Sequence, residues 1–389
     1  MELQHFLLSL IVIYASARLL GEAAARLGQP AVLGELAAGM AVGGSLLGWV
    51  EPTETLKLLG EVGILLLMFE VGLESDLRTF LGVARSATAV AVVGMLAPFL
   101  LGYGLSLALH LSQMQALFIG VALTPTSVAI PARVLSELGK LGTAEGNILL
   151  GAAVVDDILA LVALSVIVDL VEAGRVSWLH AGESAGLALL FLGLAVAVGL
   201  RYAHWFSRLL NRMITRGRLI VAAVTFALLL GYAAGGLHLA PLVGAFAAGL
   251  VLARTEHRLH IEERIKPVAD VFVPIFFVLV GASVDLRALN PLDAHNWPTL
   301  ALAAGLLVAA TVGKFVAGWV ATGTDLNRAA IGAGMVPRGE VVLIFASLGL
   351  SRGILGPGEF GAVLLVMLGT TVLAPIAMKA VFRDGASGA

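Results

Sequence analysis

The chain has no cysteine and little charge. Among its 389 residues only 13% are Asp, Glu, Lys or Arg, and 6% are aromatic; soluble domains carry about twice that charged fraction. Disulfides and thiolate metal sites are therefore excluded. The eight histidines lie mostly in loops or at helix ends and form no metal-ligand pair, so no role is assigned to them. Also missing are low-complexity linkers and any polar stretch large enough for a soluble nucleotide-binding or regulatory domain. What is present is apolar: 59% of residues are hydrophobic and the mean hydropathy is +0.99. Continuous apolar runs of roughly 17 to 25 residues specify membrane-spanning helices, whereas a barrel would show alternation. The first run, LQHFLLSLIVIYASARLL, lacks a basic leader and a small-residue cleavage site, and so reads as a retained helix.

Dividing the runs at charges, Gly and Pro predicts an all-α polytopic membrane protein of about thirteen helices. They fall near 3–20, 31–50, 56–72, 85–110, 115–138, 143–170, 182–206, 218–235, 238–254, 267–286, 297–321, 327–350 and 357–382. If each crosses once, 18 of the 24 basic residues gather on one side. Only Lys57, Arg175, Arg287 and Arg352 lie on the other, and Lys314 and Arg338 fall inside helices. The positive-inside rule then places the N-terminus outside and the C-terminus in the cytoplasm, and the expected location is the plasma (inner) membrane. The basic residues from Arg201 to Arg218 set topology or touch anionic lipid headgroups.

An internal repeat runs through the chain. PAVLGELAAGM from Pro30 resembles PLVGAFAAGL from Pro241, with Ala37-Ala38-Gly39 recurring as Ala247-Ala248-Gly249 at an offset of 210, and Val71-Gly72 and Asp76-Leu77-Arg78 recur as Val280-Gly281 and Asp285-Leu286-Arg287 at an offset of 209. Seven predicted helices fit within that offset. An odd number inverts the second copy, as in many secondary transporters whose central site opens to either face in turn. Matching interruptions frame such sites, and two are present: Thr124-Pro125-Thr126-Ser127 in the fifth helix and Gly334-Met335-Val336-Pro337-Arg338-Gly339-Glu340 in the twelfth. Proline removes a backbone donor and the small neighbours let the chain unwind, which predicts two broken, crossed helices with dipole ends near the midplane.

Asp156 and Asp157 stand together in the apolar run GNILLGAAVVDDILALVALSVIV. A carboxylate at that depth is costly unless a cation or proton neutralises it. On a helix the two are about 100° apart, so they have different tasks. Two such close acids resist ionising together, and an acid that must take up a proton can trade it for a cation. Lys314, in LLVAATVGKFVAGWV, is the natural counter-charge for Asp156, although it lies within snorkelling reach of the interface. Arg338 and Glu340 are expected to pair locally or to neutralise exposed backbone ends. Glu35, Glu61, Glu70 and Asp270 are expected to line a funnel or cap helix ends.

TPTSVA from Thr124, VVDDILA from Val154, the repeated VG-to-DLR stretches, GKF from Gly313 and GMVPRGE from Gly334 together resemble the monovalent cation/proton antiporters of the CPA2 branch, over essentially the whole chain. The resemblance implies a homodimer. It implies a core domain near 85–170 and 297–382, a dimer domain near 1–72 and 218–286, and a linker helix near 182–206. It also implies that Asp157 binds the cation, that Asp156 pairs with Lys314, and that Thr126 and Ser127 neighbour the ion. Potassium/proton relatives often carry Asn or Gln at the first aspartate and append a nucleotide-binding domain; the aspartate pair here resembles the electrogenic sodium-type branch.

The expected activity is thus exchange of Na+ (or Li+) for H+ by alternating access, in a transporter rather than an enzyme. Its partners are monovalent cations, protons, membrane lipids and a second copy, without nucleic acid and without a cofactor. A K+/H+ antiporter of the same family, a Na+-coupled solute symporter and a passive channel are the alternatives. An intramembrane aspartyl protease needs its two acids on facing helices, which neighbours in one helix cannot supply.

Overall fold

The computed structural model describes residues 2–74, 82–173, scattered positions between 179 and 201, 217–237, 239–283, 297–323 and 325–384. Every regular element among them is helical. In chain order these are α1 (Glu2–Arg26), α2 (Ala31–Val42), α3 (Glu54–Glu74), α4 (Ala84–Ala108), α5 (Gln113–Ala122), α6 (Ala129–Glu137), α7 (Ala144–Ala173), α8 (Arg218–Gly236), α9 (Pro241–Leu252), α10 (Arg258–Ala282), α11 (Trp297–Ala317), α12 (Arg328–Met335), α13 (Glu340–Ser351) and α14 (Pro357–Asp384). Six of them, α1, α4, α8, α10, α11 and α14, are long and apolar enough to cross a bilayer by length and composition. The expected helix at 182–206 is described only in part, and Arg78, the Asp76 and Asp285 ends of the repeat and most of the basic loop before Arg218 lie outside the described residues.

Two boundaries differ most from the sequence reading. The second run, expected to be helical to residue 50, stops at Val42, because Gly43 and Gly44 follow and the N–H groups of Trp49 and Val50 fold back on the Val42 carbonyl. The tenth run begins at Arg258, nine residues before the expected start. Its charged opening conceals a buried stripe, Ile261, Ile265 and Ala269, spaced four apart on one face while Glu263 and Arg264 face outward.

The helices pack in two groups. In one, α2 lies on α1 and α10, α9 lies on α8 and α3, and α3 crosses α10. In the other, α4 packs on α5, α7 and α11, and α11 packs on α12 and α14. The repeat governs the first group at the level of single glycines. A Cβ on Gly39 would strike the backbone of Val278 and Gly281, and one on Gly281 would strike Leu36 and Gly39; the repeat equivalents, Gly72 and Gly249, oppose each other in the same way across α3 and α9. Gly34 meets the backbone of Leu20 and Gly21, just as Gly244 meets that of Leu230 and Gly231. Such exchanged contacts are what a two-fold relation between the copies requires. Small residues let the backbones close, so dispersion over main-chain atoms holds these crossings together.

Gly249→Val is expected to cost about 1–3 kcal/mol, the usual range for forcing methyl groups into a packed core. Gly39→Val should cost as much. Thermal unfolding in detergent checks both, and a tolerated valine at either position would remove the backbone contact as a constraint.

Candidate functional site

The fifth and twelfth runs are interrupted where expected. The first break covers Leu123–Val128, between α5 and α6, and the second covers Val336–Gly339, between α12 and α13. The two breaks touch: the Ser127 N–H donates to the Pro337 carbonyl at 2.9 Å, and a side chain on Gly339 would press on Ser127. Each break leaves main-chain donors and acceptors that no helix satisfies, and these must find partners in a dry interior.

Asp156 supplies one such partner. Its Oδ2 accepts the Thr126 N–H at 2.7 Å and the Lys314 ammonium at 3.1 Å. The carboxylate thus sits at the amino end of α6, where the free N–H groups favour an anion. Lys314 is fully buried and Asp156 is 2% exposed, so the lysine does not snorkel. Arg338 serves the opposite polarity. Fully buried, it donates from Nη1 to the Pro125 carbonyl and from Nη2 to the Ala310 carbonyl, each at 3.2 Å. Of the two expectations, local pairing and neutralising exposed backbone ends, the contacts of Arg338 are of the second kind, but they reach from the second break to a carbonyl of the first. The Glu340 side chain lies outside the described residues. Thr371 Oγ1 donates to the Arg338 carbonyl at 3.1 Å, a contact the sequence reading missed. The signal for it was present: Thr370-Thr371 on α14 stand 214 residues after Asp156-Asp157, at the same offset as Glu145 to Glu359.

Asp157 takes another direction. It lines a cavity of about 790 Å³ between the two helix groups, walled by Tyr232, Phe276, Val341 and Ile344 and sharing one other carboxylate, Glu61. Thr126 and Ser127 are both buried in the break, and Thr126 Oγ1 has no hydrogen-bond partner among the described residues. Asp156, Lys314 and Thr126 are in direct contact, whereas Asp157 is offset onto the cavity wall. Of the remaining acids, Glu35 and Asp270 gather around Arg133. Glu70 is buried on α3. With all four ionised, Asp156, Asp157, Lys314 and Arg338 sum to zero. A further cation entering this region leaves uncompensated positive charge unless another departs.

Lys314→Ala is expected to cost about 3–5 kcal/mol of stability, because it leaves a buried carboxylate without its counter-charge. Asp156→Asn combined with Lys314→Met should recover most of that. Thermal unfolding of the purified variants is the check; a cost under about 1 kcal/mol, typical of exposed pairs, would show that the ion pair is solvated.

Comparison with known proteins identifies the family. The profile of the sodium/hydrogen exchanger transmembrane family matches residues 10–384. The chain is 40% identical to the high-affinity Na(+)/H(+) antiporter NhaS3 of Synechocystis, over 97% of this chain and 90% of that one. It is 35% identical to the Na(+)/H(+)-K(+) antiporter GerN of Bacillus cereus, over 97% and 96%. The structure of the sodium proton antiporter MjNhaP1 from Methanocaldococcus jannaschii shares the fold, with a TM-score of 0.70 at 18% identity over 100% of this chain and 99% of that one. An all-helical membrane chain with two touching helix breaks and a buried Asp–Lys pair, matched along nearly its whole length, belongs to the sodium/hydrogen exchanger family.

Proposed function

We propose that this protein exchanges Na+ (or Li+) for H+ across the membrane by alternating access, with cation and proton competing for Asp157. The observation that carries the reading is the division of labour within the aspartate pair. Asp156 is engaged by Lys314 and the α6 terminus, while Asp157 faces a cavity that a hydrated cation can enter. A proton on Asp157 and a Na+ docked on its ionised carboxylate give the four groups the same net charge, so one can replace the other without adding charge to a poorly hydrated region. Thr126 and Ser127 are the neighbouring oxygens; the unpartnered Thr126 Oγ1 is an oxygen of the kind a monovalent cation coordinates.

The finer assignments belong to the same proposal. The aspartate pair favours the electrogenic CPA2 branch that includes the Thermus antiporter NapA. The group containing both breaks, near 85–170 and 297–382, is the moving core; the group near 1–72 and 218–286 is the dimer domain of a homodimer, joined to the core through 182–206. The basic-residue bias supports the plasma membrane with the N-terminus outside. K+ is the competing cargo, since GerN is named for both Na+ and K+.

Asp157→Ala is expected to abolish Na+-driven proton movement in proteoliposomes while the protein still purifies as a folded species, because the mobile charge has lost its dock. Exchange that survives this substitution overturns the assignment. Repeating the wild-type measurement with Li+ and K+, with and without a clamped potential, reads cargo and charge balance together.

A further inference from the structure

Glu61 on α3 and Asp270 on α10 are repeat equivalents, 209 residues apart like Gly72 and Gly281. Their surroundings differ sharply. Glu61 faces the open cavity shared with Asp157. Asp270 instead faces Arg133 of α6, with Nη1 3.7 Å from its Oδ1. The same guanidinium has Nη2 3.6 Å from Glu35 Oε1 on α2, and its Nε donates to Glu137 at 2.9 Å. The other oxygen of Glu137 accepts the Ala31 N–H at 2.9 Å, so a carboxylate from α6 caps the start of α2, which has no side-chain cap of its own.

These contacts join the two helix groups. Arg133 and Glu137 belong to the broken helix, whereas Glu35, Ala31 and Asp270 belong to the group containing α2 and α10. They lie at the face where α6 ends and α2 begins, opposite the face on which α3 starts and the cavity lies. The counterpart of α6 in the second copy, α13, reads EVVLIFASLGLS and has no basic residue. Within α13, therefore, no basic side chain stands where Arg133 stands in α6.

We propose that Arg133 is a positioning residue for transport: an ionic latch that holds α6 against α2 and α10 and keeps that face shut while the Asp157 cavity is open at the other. This rests on the alternating-access reading above. Opening the latched face separates Arg133 from Glu35 and Asp270 and withdraws Glu137 from the α2 terminus. The guanidinium is only 18% exposed and three carboxylates surround it, so it is held far more firmly than a surface pair. The latch thereby biases the resting population towards the cavity-open state.

The absence of cysteine provides a clean test. Ile130→Cys places a thiol one turn from Arg133 towards the break, at a position now 3% exposed. Ile344→Cys places one on the cavity wall. With a membrane-impermeant maleimide, the native latch should give slow labelling of I130C from the α6-terminal face and fast labelling of I344C from the other. Arg133→Gln should raise the first rate and lower the second, changing the ratio of the two rates by about 2- to 30-fold, the span typical of coupling mutations. Arg133→Lys should restore most of the native pattern. Asp270→Asn, at an exposed side chain, should shift both rates in the same directions by less, and it stands in if Arg133→Gln does not fold. Unchanged rates, or rates that rise at both positions together, overturn the latch. Labelling requires no ion flux, so a wild-type protein without Na+-driven proton movement would sink the exchange reading independently of this result.

Discussion

One buried carboxylate, Asp156, reconciles two interrupted helices with a lipid environment. A break at Leu123–Val128 leaves main-chain N–H groups that neither water nor a continuing helix can satisfy. Asp156 accepts one of them, but a lone carboxylate there would itself be prohibitive. Lys314 neutralises it from α11, and Arg338 answers the freed carbonyl of Pro125 from the second break. Each polar element is tolerable only because the others are present. This mutual dependence ties α5 through α7, α11 and the second break into one unit around a point that no single helix could stabilise. Asp157, one residue on, lies on the cavity wall.

The internal repeat explains the scaffold and, by its failures, the chemistry. Glycine-for-glycine exchange between α2–α10 and α3–α9 shows how faithfully the two copies keep their backbone contacts. Where charge matters, the copies diverge. The aspartate pair of α7 is matched by two threonines on α14, and the basic residue of α6 has no counterpart on α13. A symmetric frame allows two related arrangements, and asymmetric charges make them unequal in energy.

The aspartate pair, both breaks, Lys314 and the repeat were legible in the sequence because each opposes a strong background: a charge or a proline within apolar runs stands out by its cost. Other features gave no such signal. The opening of α10 reads as a loop by charge density, and only the four-residue spacing of Ile261, Ile265 and Ala269 reveals a helix with one buried face. Arg338 was placed on the correct break, yet its partners are 213 and 28 residues away, a pairing that spacing along a helix cannot indicate. The Arg133 cluster was invisible for the same reason. Glu35 and Asp270 are individually ordinary, and what makes them a cluster is the crossing of helices drawn from both copies.

The twelve-residue helices α2 and α9 have a consequence for biogenesis. Each is only about 18 Å long against roughly 30 Å of hydrocarbon, too little to be stable alone as a lipid-embedded span. Each is completed by a glycine crossing with a helix from the opposite copy, α2 with α10 and α9 with α3. A nascent chain that has emerged only through the first copy therefore carries α2 without its mate, which is synthesised more than two hundred residues later. The halves of this transporter mature as a pair: the first must be held in an unfinished state in the translocation machinery or the bilayer until the second arrives to close over it.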